Sequence, residues 1–364
     1  VAARPVKGKR LSGSGKKSAS FGEFAAAGKR IVMIHTQEDF TMKHFGATST
    51  TDEVLAGIDL RGKRAFITGV SAGLGVETAR ALVAHGASVV GTARDLQKAE
   101  RATASIRQAA QHSGGDLTLV QMDLADLTSV RAVGDAMVAA GQPFDLVVAN
   151  AGIMATPLQH TRDGFESQFG TNVLGHFVLI NQLAPSMRQG ARLVMLSSNG
   201  HRFADVDLDD PNFAHTPYDP WVAYGRSKTG DALLAVAFDA RHRHRGVRAA
   251  SVHPGVIQTE LARNIEPAAF QAAFEAMNAQ HLALGNPPFE VKSVQQGAAT
   301  TIWAGVVADA DVIGGRYCED CQVGELVPDD LVLSAFSAGV RRYAVDPARA
   351  EALWNKAEEL VSGL

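Results

Sequence analysis

The chain has 364 residues, 46% hydrophobic and 20% charged, with 35 Lys and Arg against 38 Asp and Glu. Its length gives ample room for a core, and a formal net charge of −3 offers no field for nucleic acid or an anionic membrane. No apolar run approaches the roughly 20 residues of a membrane helix. Residues 1–41 differ from the rest, since residues 1–30 carry eight Lys and Arg against one acid, Glu23. They lack the apolar stretch of a secretory signal and hold too little apolar surface to offset the entropy of ordering. A disordered basic extension is expected there, followed by one domain over residues 42–364.

From Arg64 onward, short apolar strands alternate with helical stretches. Ala65–Thr68 reads as a strand ending in a glycine loop, and Val76–Ala84 as a helix with Val76, Ala79 and Val83 on one face. Ser88–Thr92, Leu117–Met122, Asp145–Ala149, Arg192–Leu196 and Val247–Val252 are further β-branched or apolar runs. Runs of this kind, each followed by a helix or loop, predict a parallel sheet covered on both faces. The expected fold class is therefore α/β, a single-domain Rossmann-type doubly wound sheet. Leu261–Pro288 is less regular, with an amphipathic segment over Ala268–Leu282, and is expected to form a lid. Cys318 and Cys321 are the two cysteines. They follow an expected strand, so they read as reduced structural thiols of a cytoplasmic protein rather than a redox pair or a metal site.

The first strand runs into Thr68-Gly69-Val70-Ser71-Ala72-Gly73-Leu74-Gly75 and then a helix. The glycines allow a tight turn and close approach of backbone to a pyrophosphate, and the helix N-terminus offers free N–H groups. Gly69, Ser71, Gly73, Leu74 and Gly75 are accordingly expected to bind a dinucleotide. The spacing is Gly-x-x-x-Gly-x-Gly, not the usual Gly-x-Gly-x-x-Gly. The second strand ends in Thr92-Ala93-Arg94-Asp95. An NAD site places a carboxylate near this point, whereas Arg94 suits a 2′-phosphate through charge-assisted bonds. NADP(H) is expected over NAD(H). Asp123 and Leu124, after the third strand, are placed to touch the adenine end.

Tyr224 and Lys228 stand one helical turn apart in Tyr-Gly-Arg-Ser-Lys, so both leave one face of a helix. Moving a free phenol from a pKa of about 10 to about 7 requires roughly 4 kcal/mol of selective phenolate stabilisation. A desolvated cation with a hydrogen bond supplies that order of energy. With this pair stand Ala149-Asn150-Ala151-Gly152, Asn172 in Thr-Asn-Val-Leu-Gly-His-Phe, Ser197-Ser198 and His253-Pro254-Gly255-x-x-x-Thr259. In this order the motifs resemble those of the short-chain dehydrogenase/reductase family over about residues 60–320. The segment His201–Val222, with Asp-Leu-Asp-Asp-Pro-Asn-Phe inside it, is similar to an insertion in the branch of retinol dehydrogenases and the WW-domain oxidoreductase.

The resemblance implies hydride transfer between a nicotinamide and a carbonyl or alcohol, with a hydrophobic substrate implied by the branch. Tyr224 would be the general acid or base, and Lys228 would assist it and hold the ribose. Ser198 rather than Ser197 would polarise the carbonyl, and Asn172 would hold a relay water. Asn150, Ala151 and Gly152 would line the adenosine side, and Pro254, Gly255, Ile257 and Thr259 the nicotinamide amide. His201, Phe203, Met154 and His253 are weaker candidates for the pocket border. A homo-oligomer fits the family, and no metal or nucleic-acid partner is expected. Arg241-His242-Arg243-His244-Arg245 reads as a helix end whose cations meet the dipole. The competing readings are a carbon–carbon double-bond reductase resembling protochlorophyllide reductase and a non-catalytic NADP-sensing protein.

Overall fold

The computed structural model describes residues 44–334 and 336–364, so the expected extension over residues 1–41 lies outside the described residues. A short helix α1 (Thr51–Leu55), closed by a capping box between Thr50 and Glu53, precedes the sheet. Then β1 (Arg64–Thr68), α2 (Gly73–Ala84), β2 (Ser88–Ala93), α3 (Leu96–Ser113) and β3 (Asp116–Gln121) alternate. They are followed by α4 (Leu127–Ala139), β4 (Phe144–Ala149), α5 (Gly175–Leu183) and β5 (Met187–Leu196). The second half continues with α6 (Pro220–His242), β6 (Arg248–His253), α7 (Pro267–Ala283), α8 (Val294–Ile302), α9 (Ala310–Ile313) and β7 (Arg316–Glu319). The chain closes with β8 (Gln322–Val323), β9 (Leu326–Val327), β10 (Val340–Arg341) and α10 (Pro347–Val361).

The sheet order is β3-β2-β1-β4-β5-β6-β7-β8. All neighbours are parallel except β7 and β8, which turn back through Asp320 and Cys321. Successive side chains on a strand point to opposite faces, and here both faces are buried. Phe66, Val147 and Leu193 enter one core with Phe177, Phe238 and Trp354. Their neighbours Ile67, Val148 and Val194 enter the other with Leu82, Val252 and Ile302. That two-sided burial is why the strands read as continuous apolar runs.

Two boundaries differ from the sequence expectation for physical reasons. Strand β5 starts at Met187 rather than Arg192, because Met187 pairs with Phe144 before a register irregularity, and Gly190 supplies a φ of +81° there. Helix α2 starts at Gly73, inside the glycine loop. The basic run at the end of α6 is absorbed in part by packing, with Arg243 and His244 left exposed. Arg241 lies over Trp354 of α10, and Arg245 donates to the carbonyls of Ala184 and Met187.

Candidate functional site

The strand order reverses between β1 and β4, and in an open α/β sheet such a point leaves a crevice beyond the carboxyl ends of the strands. The Gly69–Gly75 loop and Asn150–Gly152 leave β1 and β4 at this place. Gly69 and Gly73 have φ of +78° and +59°, which side chains other than glycine rarely adopt. A Cβ at Gly75 would lie 2.1 Å from the Gly69 carbonyl oxygen, so a bare backbone is required there too. Asn150 Nδ2 donates to Thr68 O at 2.7 Å and to Gly69 O at 3.2 Å, pinning the loop. Ala72 occupies the N-cap of α2 with no side-chain bond to the helix, and the first turn contains no acid. The free N–H groups and the positive end of the dipole are therefore left for an anion, and the residues present fit a pyrophosphate.

The expected reacting residues gather at the ends of β4 and β5. Tyr224 and Lys228 are both buried on α6, a helix entered at Pro220 and capped by Asp219. A Cβ at Gly200 would lie 2.5 Å from Tyr224 Cε1 and 3.4 Å from Ser198 Oγ, so ring and hydroxyl converge on this glycine. Ser198 Oγ accepts from Gly200 N at 3.0 Å. Ser197 instead points inward and donates to Lys228 O at 2.7 Å. Lys228 Nζ lies 5.8 Å from the Tyr224 ring centroid and donates to Leu196 O at 2.8 Å. It also donates to Asp231 Oδ2 at 2.8 Å. A Cβ at Gly152 would meet Asn172 Oδ1 at 3.2 Å and Lys228 Nζ at 3.6 Å, so this glycine keeps the approach to both open.

Asn172 sits in a π turn over Phe169–Leu174 at the head of α5, an irregularity frequent at functional sites. Its side chain is spent on structure: Oδ1 accepts from Ile153 N at 2.9 Å, and Nδ2 donates to Ile153 O and Ser227 Oγ. Its carbonyl faces His176 Nδ1 at 2.8 Å, and His176 Nε2 faces Thr68 Oγ1 at 3.0 Å. The tautomer follows from the donors. Thr68 Oγ1 already accepts from the N–H groups of Asn150 and Ala151, so its own proton goes to His176 Nε2, and Nδ1–H donates to Asn172. His176 is neutral, since burial lowers its pKa to about 4. The sequence reading passed over His176 and Asp231. Their signal was spacing, four residues after Asn172 and three after Lys228.

Around this centre, the turn after β6 crosses the glycine loop. A Cβ at Gly73 would lie 3.3 Å from Thr259 Cγ2. Pro254 and Gly255 lie half-buried in that turn, and Ile257 forms a β-bridge with Lys292. Arg94 is exposed just beyond β2, whereas Asp95 is committed to capping α3 through Lys98 N at 2.9 Å. Asp123 accepts from Ala125 N, and Leu124 is buried. The weaker pocket candidates divide. His201 and His253 are buried behind the site; His201 donates from Nδ1 to Ser198 O and accepts from Arg341 N at Nε2. Phe203 and Trp221 are 46% and 38% exposed and run edge-to-face toward Tyr224, with Trp221 and Tyr224 centroids 6.3 Å apart. Between them the inserted segment is tied by Asp210, which accepts from the N–H groups of Ala214, His215 and Thr216. Tyr218 fastens it to Thr156 O at 2.8 Å.

Residues 63–269 match the family model described as short chain dehydrogenase. A Streptomyces lividans protein whose name places it among oxidoreductases is 39% identical over 308 residues, covering 84% of this chain and 99% of that protein. The short-chain dehydrogenase/reductase prx1 of Penicillium roqueforti is 35% identical over 303 residues, covering 82% and 84%. A Burkholderia cenocepacia short chain dehydrogenase, solved in complex with NADP, shares the fold at a TM-score of 0.56 with 23% identity, covering 72% of this chain and 98% of that one. The chain thus belongs to the short-chain dehydrogenase/reductase family and is an NAD(P)-dependent oxidoreductase acting on alcohol or carbonyl groups.

Proposed function

We propose that this enzyme interconverts a hydrophobic carbonyl compound and its alcohol with NADP(H), using Tyr224 as general acid and base. The observation that carries the reading is the convergence of the Tyr224 ring and the Ser198 hydroxyl on Gly200, with Lys228 behind them. The hydride comes from, or returns to, the nicotinamide when it is bound. Tyr224 gives the substrate oxygen its proton in reduction and takes it back in oxidation, while Ser198 donates to the same oxygen and polarises it. Lys228 favours the phenolate electrostatically and holds the ribose, and Asn172, its side chain committed to Ile153 and Ser227, holds a relay water through its main-chain carbonyl, which has a second lone pair beside the one facing His176. Asn150, Ala151, Gly152, Pro254, Gly255, Ile257 and Thr259 line the dinucleotide.

Preference for NADP(H) rests on Arg94, exposed at the end of β2 beside an Asp95 already committed as a cap. The Burkholderia cenocepacia neighbour, solved with NADP, is in keeping with it. A hydrophobic substrate is supported by the exposed Phe203 and Trp221 beside Tyr224. Residues 261–288 belong to the proposal as a lid. Within them His281 is bonded to Ser334 Oγ at 2.6 Å, and Phe274 packs against Phe336 with ring centroids 5.4 Å apart. A cytoplasmic location and assembly of identical copies are part of the same reading. Both thiols are free and buried, and among the described residues no helix is long and apolar enough to cross a membrane.

The test is NADPH oxidation over a panel of aldehydes, ketones and enones of graded size, and NADP+ reduction over the matching alcohols and diols, with Tyr224→Phe as control. Tyr224→Phe is expected to lose at least a hundredfold in turnover, in line with the roughly 10²–10⁴-fold worth of a positioned acid or base, while still binding NADPH. Turnover confined to enones would replace the carbonyl reading.

A further inference from the structure

Lys228 is not alone in its pocket. Three residues further along α6, Asp231 Oδ2 accepts a hydrogen bond from the ammonium at 2.8 Å, and the two side chains are only 6% and 2% exposed. The ammonium has three donors. One goes to Asp231 and one to Leu196 O, which leaves one for the cleft beside Gly152. Beyond the pair the helix turns apolar, with Ala232, Leu233, Leu234, Ala235 and Val236 all buried, so packing on that side gives no reason for a carboxylate here. The second oxygen, Asp231 Oδ1, is buried without a hydrogen-bond partner. Such an atom is costly, and buried ion pairs of this kind are often no more stable than apolar replacements. The carboxylate is thus poorly accounted for by stability and well placed to act on Lys228.

We infer that Asp231 is a positioning residue for the reaction: it fixes the Lys228 ammonium between Leu196 O and the cofactor cleft and thereby sets the alkaline limit of carbonyl reduction. This rests on the assignment of Lys228 to the reacting centre.

The electrostatics agree. Burial alone would lower the pKa of Lys228, but the charge of Asp231, together with Tyr224, outweighs burial and raises it. Burial pushes the Asp231 carboxyl up to about 6 against the pull of Lys228, so the ion pair is half formed near that pH and complete in the alkaline range. The other titratable groups facing the pair do not compete. Tyr224 lies on the same helix, and His176 on α5 is buried and neutral. His201, in the turn over Asn199–Phe203, is also neutral, since burial lowers its pKa to about 3. Among the described residues no other carboxylate lies within ion-pair distance of Lys228.

The test is the pH profile of kcat for NADPH-dependent carbonyl reduction in Asp231→Asn, which keeps the shape and removes the charge. The alkaline limb is expected to move down by about one pH unit or more, as loss of an adjacent counter-charge does. Asp231→Glu is expected to keep the limb in place at reduced kcat. A limb unmoved in Asp231→Asn, with kcat or Tm merely lowered, overturns the inference. Should that variant not fold, ε-carbon NMR of 13C-labelled lysines in the unmodified protein decides, with Lys228 assigned by its loss in Lys228→Met. A titration midpoint above that of free lysine supports the inference, and one below it, where burial alone would put it, overturns it. The spectrum needs no substrate, so failure of the Asp231–Lys228 pairing is told apart from failure of the proposed function, in which every carbonyl in the panel fails while the titration stays raised.

Discussion

The neutral His176 between Thr68 and Asn172 makes a sharp prediction about acid stability. His176→Asn retains an amide that can donate to the Asn172 carbonyl but leaves the Thr68 hydroxyl proton, now given to His176 Nε2, without a buried acceptor. Such an orphan costs about 1–3 kcal/mol, so at pH 7 the variant is expected to be less stable by about 2 kcal/mol. The histidine itself titrates: burial holds its pKa at about 4 instead of 6.5, so between these values the unfolded chain binds the extra proton. The stability it confers is complete above about pH 6.5 and lost as pH falls toward 4, at about 1.4 kcal/mol per unit. The variant carries no such group. His201 and Asp231 titrate in both proteins and cancel in the difference. Urea unfolding at pH 7, 6 and 5 should therefore show the gap closing by about 2 kcal/mol. A gap constant over that range would refute the buried neutral tautomer.

Three further outcomes follow from other contacts. Gly200→Ala sets a Cβ 2.5 Å from Tyr224 Cε1, so kcat should fall at least tenfold while NADPH titration by fluorescence stays within a factor of about three, overpacking of this kind costing about 1–3 kcal/mol locally. Arg94→Ala should weaken NADPH binding at least tenfold and leave NADH binding nearly unchanged, a charge-assisted phosphate contact being worth about 1.5–3 kcal/mol; equal loss for both nucleotides would remove the basis for NADP preference. Burial raises the pKa of Cys318 to about 12 and of Cys321 to about 11. Both thiols should therefore resist Ellman's reagent at pH 8 in the folded protein and react together in denaturant.

Much of this architecture was legible because the relevant signals are local. The interiors of β1, β2, β4 and β6 read as apolar runs since both faces of the sheet are covered there, and Gly69–Gly75 reads as a glycine loop because Gly69 and Gly73 take a backbone that favours glycine. Tyr224 and Lys228 are visible through helical spacing. What stayed hidden depends on burial of polar groups, which spacing alone does not reveal. Asp231 looks like any i,i+3 charge partner on a wet helix face, yet it lies in the core. His201 is expected at the pocket border, but both its nitrogens are taken by backbone. The last forty residues were equally opaque. Helix α10 is amphipathic in an ordinary way, and only the fold brings Trp354 edge-on to Phe177 at 4.9 Å.

The inserted segment is cinched to itself at Asp210 and riveted to the body by Tyr218 and by Arg226, which donates to Asp210 O at 2.9 Å. Lys228 and Asn172 are held by a different set of bonds, to Leu196, Asp231, Ile153 and Ser227. The wall of the cleft and the machinery behind it are thus separate modules sharing one helix. On the proposed reading of the site, exchanging residues between Ala204 and Asp219 for another loop of the same span is expected to change which molecules are admitted while leaving the bonds that hold Lys228 and Asn172 as they are. In such an enzyme, new substrates are reached by re-cutting the doorway rather than rebuilding the room.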